Sequence, residues 1–576
     1  MAGSGHIPHL GTALSGLRAE LAASAYPLDL PEAHAAAKLA RATLEQLDDY
    51  LIPRLARLDA PLLVVVGGST GAGKSTLVNS LVRAPVSPAG ARRPTTRAPV
   101  LVCHPADAAW FTEAHLLPQL GRTQSEAGDG LRIVESAVLT PGLALLDAPD
   151  IDSVVESNRA LAEKLLAAAD LWLFVTTATR YADAVPWELL HAARARGTAI
   201  ALVLDRVPAD AGAEVQPHLA EMLSEHGLGE ARLFVVGETV LDERKLLPES
   251  AVADLRTWLE TLAQSAAARA AVVRQTVDGA VAALDPTVAQ LAEAADAQVS
   301  AADALAVAAE GAYRDAEAAV GKGVRDGSLL RGEVLARWQE LVGTGEFMRS
   351  LQARVGRLRD RIVDAVTGRP RPTDQLATAL ESGLATSIRG AAADAAEQTA
   401  GAWRAHPAGA QLLAATPALT TSAADLEERI ERLVRDWQRG VLDLVRAEAG
   451  GKLQVAKIGA YAVNGLGIAV MITVFAATAF IPTGAEIAVG AGTTVAAQKV
   501  LEAVFGDQAV RRLAEQARKD LLDRVRVLFG EEAGRYRATL DAAGVDPADA
   551  DRLRAAAAKV RAARLADPVR PSGGAR

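Results

Sequence analysis

Gly68-Ser69-Thr70-Gly71-Ala72-Gly73-Lys74-Ser75 is the stretch of this 576-residue chain best suited to chemistry. It fills every fixed position of the P-loop pattern, and Thr76 follows it. Glycines let such a loop curl until successive backbone N–H groups point at phosphate oxygens. The helix that follows brings its positive end to the same anion. Lys74 would then reach the β- and γ-phosphates, and Ser75 would hold Mg2+. A plain glycine-rich turn between strand and helix would need neither Lys74 nor Ser75.

Two more stretches belong with it. Arg92-Arg93-Pro94-Thr95-Thr96-Arg97 lies between the loop's helix and the next apolar run. A threonine hydroxyl there can complete a Mg2+ shell and sense a γ-phosphate. Further on, Leu145-Leu146-Asp147-Ala148-Pro149-Asp150 ends an apolar run. A carboxylate at a strand's C-terminal end faces the crevice where open α/β sheets bind ligands. Asp147 in that place can polarise a Mg2+-bound water. Other candidates carry less. His104 beside Cys103 has no second pair at metal-ligand spacing. Trp172 and Trp187 suit packing against a sheet, and spacing assigns no serine–histidine–acid constellation.

These residues need a scaffold. Short apolar runs rich in branched residues, Leu62–Val66, Val100–Cys103, Leu143–Leu146, Leu171–Val175, Ile200–Leu204 and Leu233–Val236, suit buried strands. Helical stretches between them imply crossovers and an α/β head with a mainly parallel sheet over 61–250. Ahead of it Leu44, Leu47, Leu51, Leu55 and Leu58 make one apolar helical face, with a kink expected at Pro53. We read 1–60 as helices packing with a helical body over 251–570, and 571–576 as a disordered tail. In that body Leu351, Val355, Leu358, Ile362 and Val366 form one stripe. Ser422 and Asp425 resemble a capping box ahead of inward-facing Leu426, Ile430, Leu433, Trp437, Val441 and Leu444. Asp546-Pro547 opens a last helix.

Ile458–Ile481 is 24 residues without a formal charge, roughly 36 Å as a helix. Pro482-Thr483-Gly484-Ala485 then turns, and 487–497 is too short for a second span. The pattern predicts an apolar helical hairpin, 458–497, returning to the side it left. Lys452 and Lys457 before it, and Lys499, Arg511 and Arg512 after it, suit anionic headgroups. A buried hairpin in a bundle rich in alanine and glycine is the alternative.

Half the residues are apolar and 23% are charged, which excludes global disorder. The net charge is −9: residues 1–250 carry 21 Lys and Arg against 30 Asp and Glu, and the rest 40 of each. With no basic excess, nucleic acid is not an expected partner. A lone cysteine, Cys103, excludes a disulfide scaffold and points to a reducing, cytoplasmic setting. The N-terminus shows no signal-peptide pattern.

The order Gly-Ser-Thr-Gly-Ala-Gly-Lys-Ser-Thr-Leu-Val-Asn-Ser-Leu, then Thr-Thr-Arg, then Asp-Ala-Pro resembles the translation-factor class of P-loop GTPases. With Thr96-Arg97, a helix flanking the head, a long helical body and a late apolar hairpin, the chain resembles bacterial dynamin-like proteins. The motif likeness runs from 61 to about 210, and the helical half is alike in architecture only. The resemblance implies GTP and Mg2+ as ligands and hydrolysis of the β–γ phosphoanhydride. It also implies association through the heads into a homo- or hetero-oligomer. It makes Thr96 the switch threonine, because that residue directly precedes arginine, and gives Asp147 the acid's role in Asp-x-x-Gly. Ser75, Thr96 and Asp147 would hold Mg2+, and Lys74, Thr96, Asp147 and Asp150 would serve catalysis. The resemblance places the protein at the inner face of the cell membrane, meeting lipid through 458–497.

Three positions depart from the family. Asp150 stands where the glycine of Asp-x-x-Gly would be, and its carboxylate repels a γ-phosphate unless Mg2+ or water intervenes. Thr70 stands where dynamins have a water-positioning glutamine, and it cannot reach as far. Asp205-Arg206-Val207-Pro208 stands where Asn/Thr-Lys-x-Asp would read guanine. Pro208 cannot accept the guanine N1 and N2 hydrogens. Arg206 can still lie on a purine face, with Asp205 or Asp210 as a substitute acceptor. ATP as the nucleotide stays open for that reason. So does a nucleotide-binding switch or scaffold with little hydrolysis.

Overall fold

The apolar runs rich in branched residues form strands. The computed structural model describes residues 8–88, 99–113, 115–118, 120–123, 130–152, 156–209, 212–326, 372–450, 467–468, 470–471, 473–474 and 505–566. They divide into two units, Met1–Tyr26 with Glu32–Ala297 and Asp546–Arg576, and Pro27–Pro31 with Gln298–Val545.

The first unit holds helices α1 (Pro8–Ala23), α2 (Ala33–Gln46) and α3 (Ile52–Ala56), then strand β1 (Leu62–Gly68) and α4 (Lys74–Val82). There follow β2 (Val100–Cys103), α5 (Ala108–Thr112), β3 (Arg122–Thr123), β4 (Leu131–Glu135), β5 (Leu143–Asp147), α6 (Glu156–Ala167) and β6 (Leu171–Thr177). Then come α7 (Ala184–Ala195), β7 (Ala199–Val207), α8 (Gly212–Glu225), β8 (Arg232–Gly237), α9 (Glu249–Gln264) and the start of α10 (Ala266–Asp326). The eight strands lie in the order β3-β4-β2-β5-β1-β6-β7-β8. Every pair is parallel except β2 with β5. β1, β5 and β6 are buried along their whole length, as strands covered by helices on both faces must be. β3 and β4 carry no such signal. β3 is two residues long, and β4, Leu-Arg-Ile-Val-Glu, interrupts its apolar residues with charge.

Register places the chemistry. β1 sits between β5 and β6, so Val66 pairs with Asp147 and Gly68 with Val175. β7 follows β6, with Asp205 opposite Thr177. The strand ends carrying Gly68, Asp147, Thr177 and Asp205 therefore share one edge of the sheet.

The kink expected at Pro53 takes another form. Leu47–Leu51 is a π-helical turn that joins α2 to α3 without a break in the helical backbone, and Pro53 follows it in the first turn of α3. Leu10, Leu14, Leu17 and Leu21 of α1 share one core with Leu284, Val288 and Leu291 of α10. Leu553 and Val560 of α15 (Asp549–Ala566), the last helix, join the same core. Arg561 and Arg564 of α15 pair with Asp285 and Asp278 at 2.8 Å, and Arg554 pairs with Asp296.

The second unit is helical, with α10 beyond Ala297, α11 (Pro372–Arg404), α12 (Pro407–Ala415), α13 (Leu426–Gly450) and α14 (Asp507–Ala543). Trp403 and Trp437 are buried and donate to the Leu305 and Ala517 carbonyls at 3.0 and 2.8 Å. The stripe on α13 is as expected at Leu426, Ile430, Leu433, Trp437 and Val441. Val445 rather than Leu444 is then the fully buried position. Ser422 forms no capping box, and its hydroxyl has no hydrogen-bond partner among the described residues. The fully buried Glu532 takes the Ala423 N–H at 3.0 Å instead, and also pairs with Arg429 and Arg535. Of the expected hairpin, Ile468, Val470, Met471 and Val474 are described and lie in this unit's core. Gly467 and Thr473 are described too; the remainder of the hairpin, and the stripe from Leu351 to Val366, fall outside the described residues. Among the described residues no helix is long and apolar enough to cross a membrane.

Candidate functional site

The loop from Gly68 to Gly73 leaves β1 and enters α4 at Lys74. Two of its glycines are required by their surroundings. A Cβ on Gly68 would fall 2.1 Å from the Val175 carbonyl oxygen, inside the pairing of β1 with β6. Gly73 has φ +95°, and a Cβ there would fall 2.2 Å from Asp205 Oδ2. Only glycine allows both the turn and the close approach.

Lys74 is 5% exposed. Its Nζ donates to the Gly68 and Ser69 carbonyls at 2.9 and 3.0 Å and to Asp150 Oδ1 at 2.6 Å. Asp150, in the glycine's place, thus lies on the ammonium that a phosphate would take. Exchanging Asp150 for asparagine removes both the competing charge and its repulsion of an incoming anion. We expect triphosphate affinity to rise about 3- to 10-fold, the equivalent of about 1 kcal/mol. Titration calorimetry of D150N checks it, and a fall in affinity would mean that the carboxylate helps to hold the ligand.

Asp147 is fully buried at the end of β5. Ser75 and Ser87 both donate their hydroxyls to its Oδ2, at 2.6 and 2.5 Å. Its Oδ1 is buried with no hydrogen-bond partner among the described residues. Burial pushes this carboxyl above the ordinary range, against the pull of the two hydroxyls and Lys74. An orphaned carboxylate oxygen beside a serine hydroxyl is a hard donor set that fits Mg2+. Ser87 follows Val86 and precedes Pro88, and no local pattern marks it as part of the site.

Thr70 is held from two sides. Its amide and its hydroxyl both donate to Asp152 Oδ1 at 2.6 Å. Arg180, in the turn after β6, donates to the Thr70 carbonyl at 2.9 Å and to Asp152 Oδ2 at 2.8 Å. Burial alone would raise the Asp152 carboxyl, but Thr70 and Arg180 outweigh it and hold it below the usual carboxylate range. Neither Asp152 nor Arg180 carries a motif that sequence could reveal.

Asp205 is 6% exposed and lies beneath Gly73, while the Arg206 side chain is 58% exposed at a positive φ of 55°. Burial pushes Asp205 up to about 6, against the Arg206 backbone N–H. The folded chain therefore binds this proton more tightly than the unfolded one. The group's contribution to stability rises as pH falls from about 7 to about 4. Asp205→Asn is expected to raise the melting temperature at pH 8 by the equivalent of about 1–3 kcal/mol. That gain should fall to roughly half near pH 5 and be largely gone near pH 4, and thermal unfolding at pH 8 and pH 4 checks it. Thr95, Thr96 and Asp210 lie outside the described residues.

Residues 64–129 match the model of the dynamin family. The resemblance drawn from the motifs stands over that stretch. Two solved structures, each described as an oligomerised bacterial dynamin pair providing a mechanism for long-range sensing and tethering of membranes, are similar in outline. Both align at 11% identity over 97% of this chain and 94% of theirs, with TM-scores of 0.46 and 0.42. No protein of curated function matches the chain.

Proposed function

We propose that this chain, whose head carries the dynamin-family match, is a dynamin-like GTP-binding protein. It hydrolyses GTP and passes the nucleotide state to its helical unit. The observation that carries the proposal is the convergence of Lys74, Ser75 and a half-unpartnered Asp147 at the end of β1. In this P-loop the backbone N–H groups and Lys74 hold the β- and γ-phosphates. Ser75 and Asp147 hold Mg2+, with Thr96 as a third ligand, and the bound ion supplies neutralising charge for phosphoryl transfer. Arg206 lies on the base. Asp205, being packed under Gly73, supports the loop from below.

Calorimetry with GTP, ATP and slowly hydrolysed analogues, with and without Mg2+, tests the proposal. Tighter binding of GTP that depends on Mg2+ supports it, and absence of any triphosphate binding removes it. Equal affinity for ATP favours a second reading, a promiscuous NTPase, which Pro208 at the guanine-reading position supports.

We further propose association through the heads and peripheral attachment to the cytosolic face of a membrane through 458–497, on the strength of that segment's uncharged run and basic flanks. Val470 is 1% exposed within the second unit's core. Val470→Asp is accordingly expected to destabilise that unit by about 3 kcal/mol or more. A normal melting temperature with lost flotation on anionic liposomes would instead assign Val470 to lipid.

A further inference from the structure

We propose that Arg180 supplies, from within the same chain, the positive charge that stabilises the phosphoryl group in transfer. This rests on the triphosphate site proposed above. Arg180 sits in a braced turn. Its own N–H and that of Tyr181 donate to the Thr177 carbonyl at 3.0 Å, and its Nε donates to Asp183 Oδ2 at 2.8 Å. The rest of the guanidinium reaches across to the glycine-rich loop, with Nη1 on the Thr70 carbonyl and Nη2 on Asp152.

What Asp152 does there is informative. It accepts the Thr70 amide, one of the loop's backbone donors, and the Arg180 guanidinium at once. A carboxylate thus gathers a loop amide and a guanidinium, as Asp150 gathers the Lys74 ammonium. Both are donor sets for phosphate oxygens, each neutralised by an internal anion. A bound triphosphate replaces those carboxylates. Arg180, still tethered to Asp183 through Nε, then keeps Nη2 free for the nucleotide.

Hydrolysis makes the charge useful. Water oxygen bonds to the γ-phosphorus, and the bond from that phosphorus to the β–γ bridging oxygen breaks. Its electron pair stays on the β-phosphate, so GTP and water yield GDP, inorganic phosphate and a proton. Negative charge grows on the leaving oxygen and spreads over the transferring group. A guanidinium carries fixed charge and a planar fork of donors, so Arg180 takes up no proton and stabilises that charge by hydrogen bonding. Thr70, too short to position water, leaves this electrostatic contribution as the chain's main resource beyond Lys74.

The test compares the full-length parent with Arg180→Ala and Arg180→Lys. It measures GDP affinity, trapping of GDP with aluminium fluoride in the presence of Mg2+, and single-turnover GTP hydrolysis. GDP affinity should stay within about 3-fold in all three, and hydrolysis by R180A should fall roughly 1,000-fold. Fluoride trapping should be lost in R180A and weak in R180K, which keeps the charge but not the fork. Hydrolysis and trapping at parental levels in R180A would overturn the proposal. So would a parent that binds GDP but neither traps fluoride nor hydrolyses GTP. Loss of GDP affinity in both variants would make Arg180 a brace for the loop, again overturning it. A parent that binds no nucleotide overturns the reading of the site itself, and this proposal with it.

Discussion

Lys74→Ala is expected to weaken triphosphate binding by about 100-fold or more. Each charge-assisted hydrogen bond from the ammonium to a phosphate oxygen contributes about 1.5–3 kcal/mol, and in the proposed site the side chain would serve two phosphates. The lysine is not the solvent-facing group that a loop position suggests. It is 5% exposed and holds two loop carbonyls together with Asp150. Its removal leaves those acceptors to water, so a stability loss of about 1–2 kcal/mol is expected beside the loss of binding. Lys74→Ala combined with Asp150→Asn separates the two effects. The double variant removes the stranded carboxylate and should recover part of the stability, while binding stays well below the parent's. Calorimetry and thermal unfolding on both variants check this, and parental affinity in either would take Lys74 out of the site.

The second large effect lies behind the sheet. Asp170 and Arg54 form an ion pair in which both side chains are fully buried. Asp170 also accepts the Tyr50 hydroxyl at 2.9 Å and the Leu63 N–H at 2.7 Å, and its own carbonyl accepts the Thr276 hydroxyl at 2.8 Å. One residue thereby ties the turn before α3, the start of β1 and the first part of α10. Asp170→Asn keeps an acceptor for Leu63 but strands the guanidinium in a dry site. A loss of about 3–5 kcal/mol is expected, enough to lower the melting temperature on the order of 10 °C. Arg54→Met added to Asp170→Asn should be milder than Asp170→Asn alone, because no unpaired charge then remains. A double variant as unstable as the single would show that the pair's hydrogen-bond geometry, not its charge balance, holds the elements.

How much of this the sequence discloses depends on how far apart the partners are. Lys74, Ser75 and the glycines are continuous in sequence, so their spacing alone marks them as a candidate phosphate site. Asp147 is legible because an apolar run ends at it. Ser87 meets Asp147 from 60 residues away, Asp152 meets Thr70 from 82, and Arg180 meets Thr70 from 110. Each contact depends on which strands are neighbours, and no local pattern records that β1 lies between β5 and β6.

The sequence by itself determined the strand-forming runs of the head, the described helices of the second unit and the glycine-rich turn from β1 into α4, since periodicity and backbone freedom are local properties. Tertiary structure alone decided that Asp150 would sit on Lys74 and that Arg180 would reach the loop. It also decided that Val470 would face a protein core and that Val445 would replace Leu444. These are outcomes of sheet order, register and helix rotation. They follow from burying the whole apolar surface at once, a condition that no short window of residues contains.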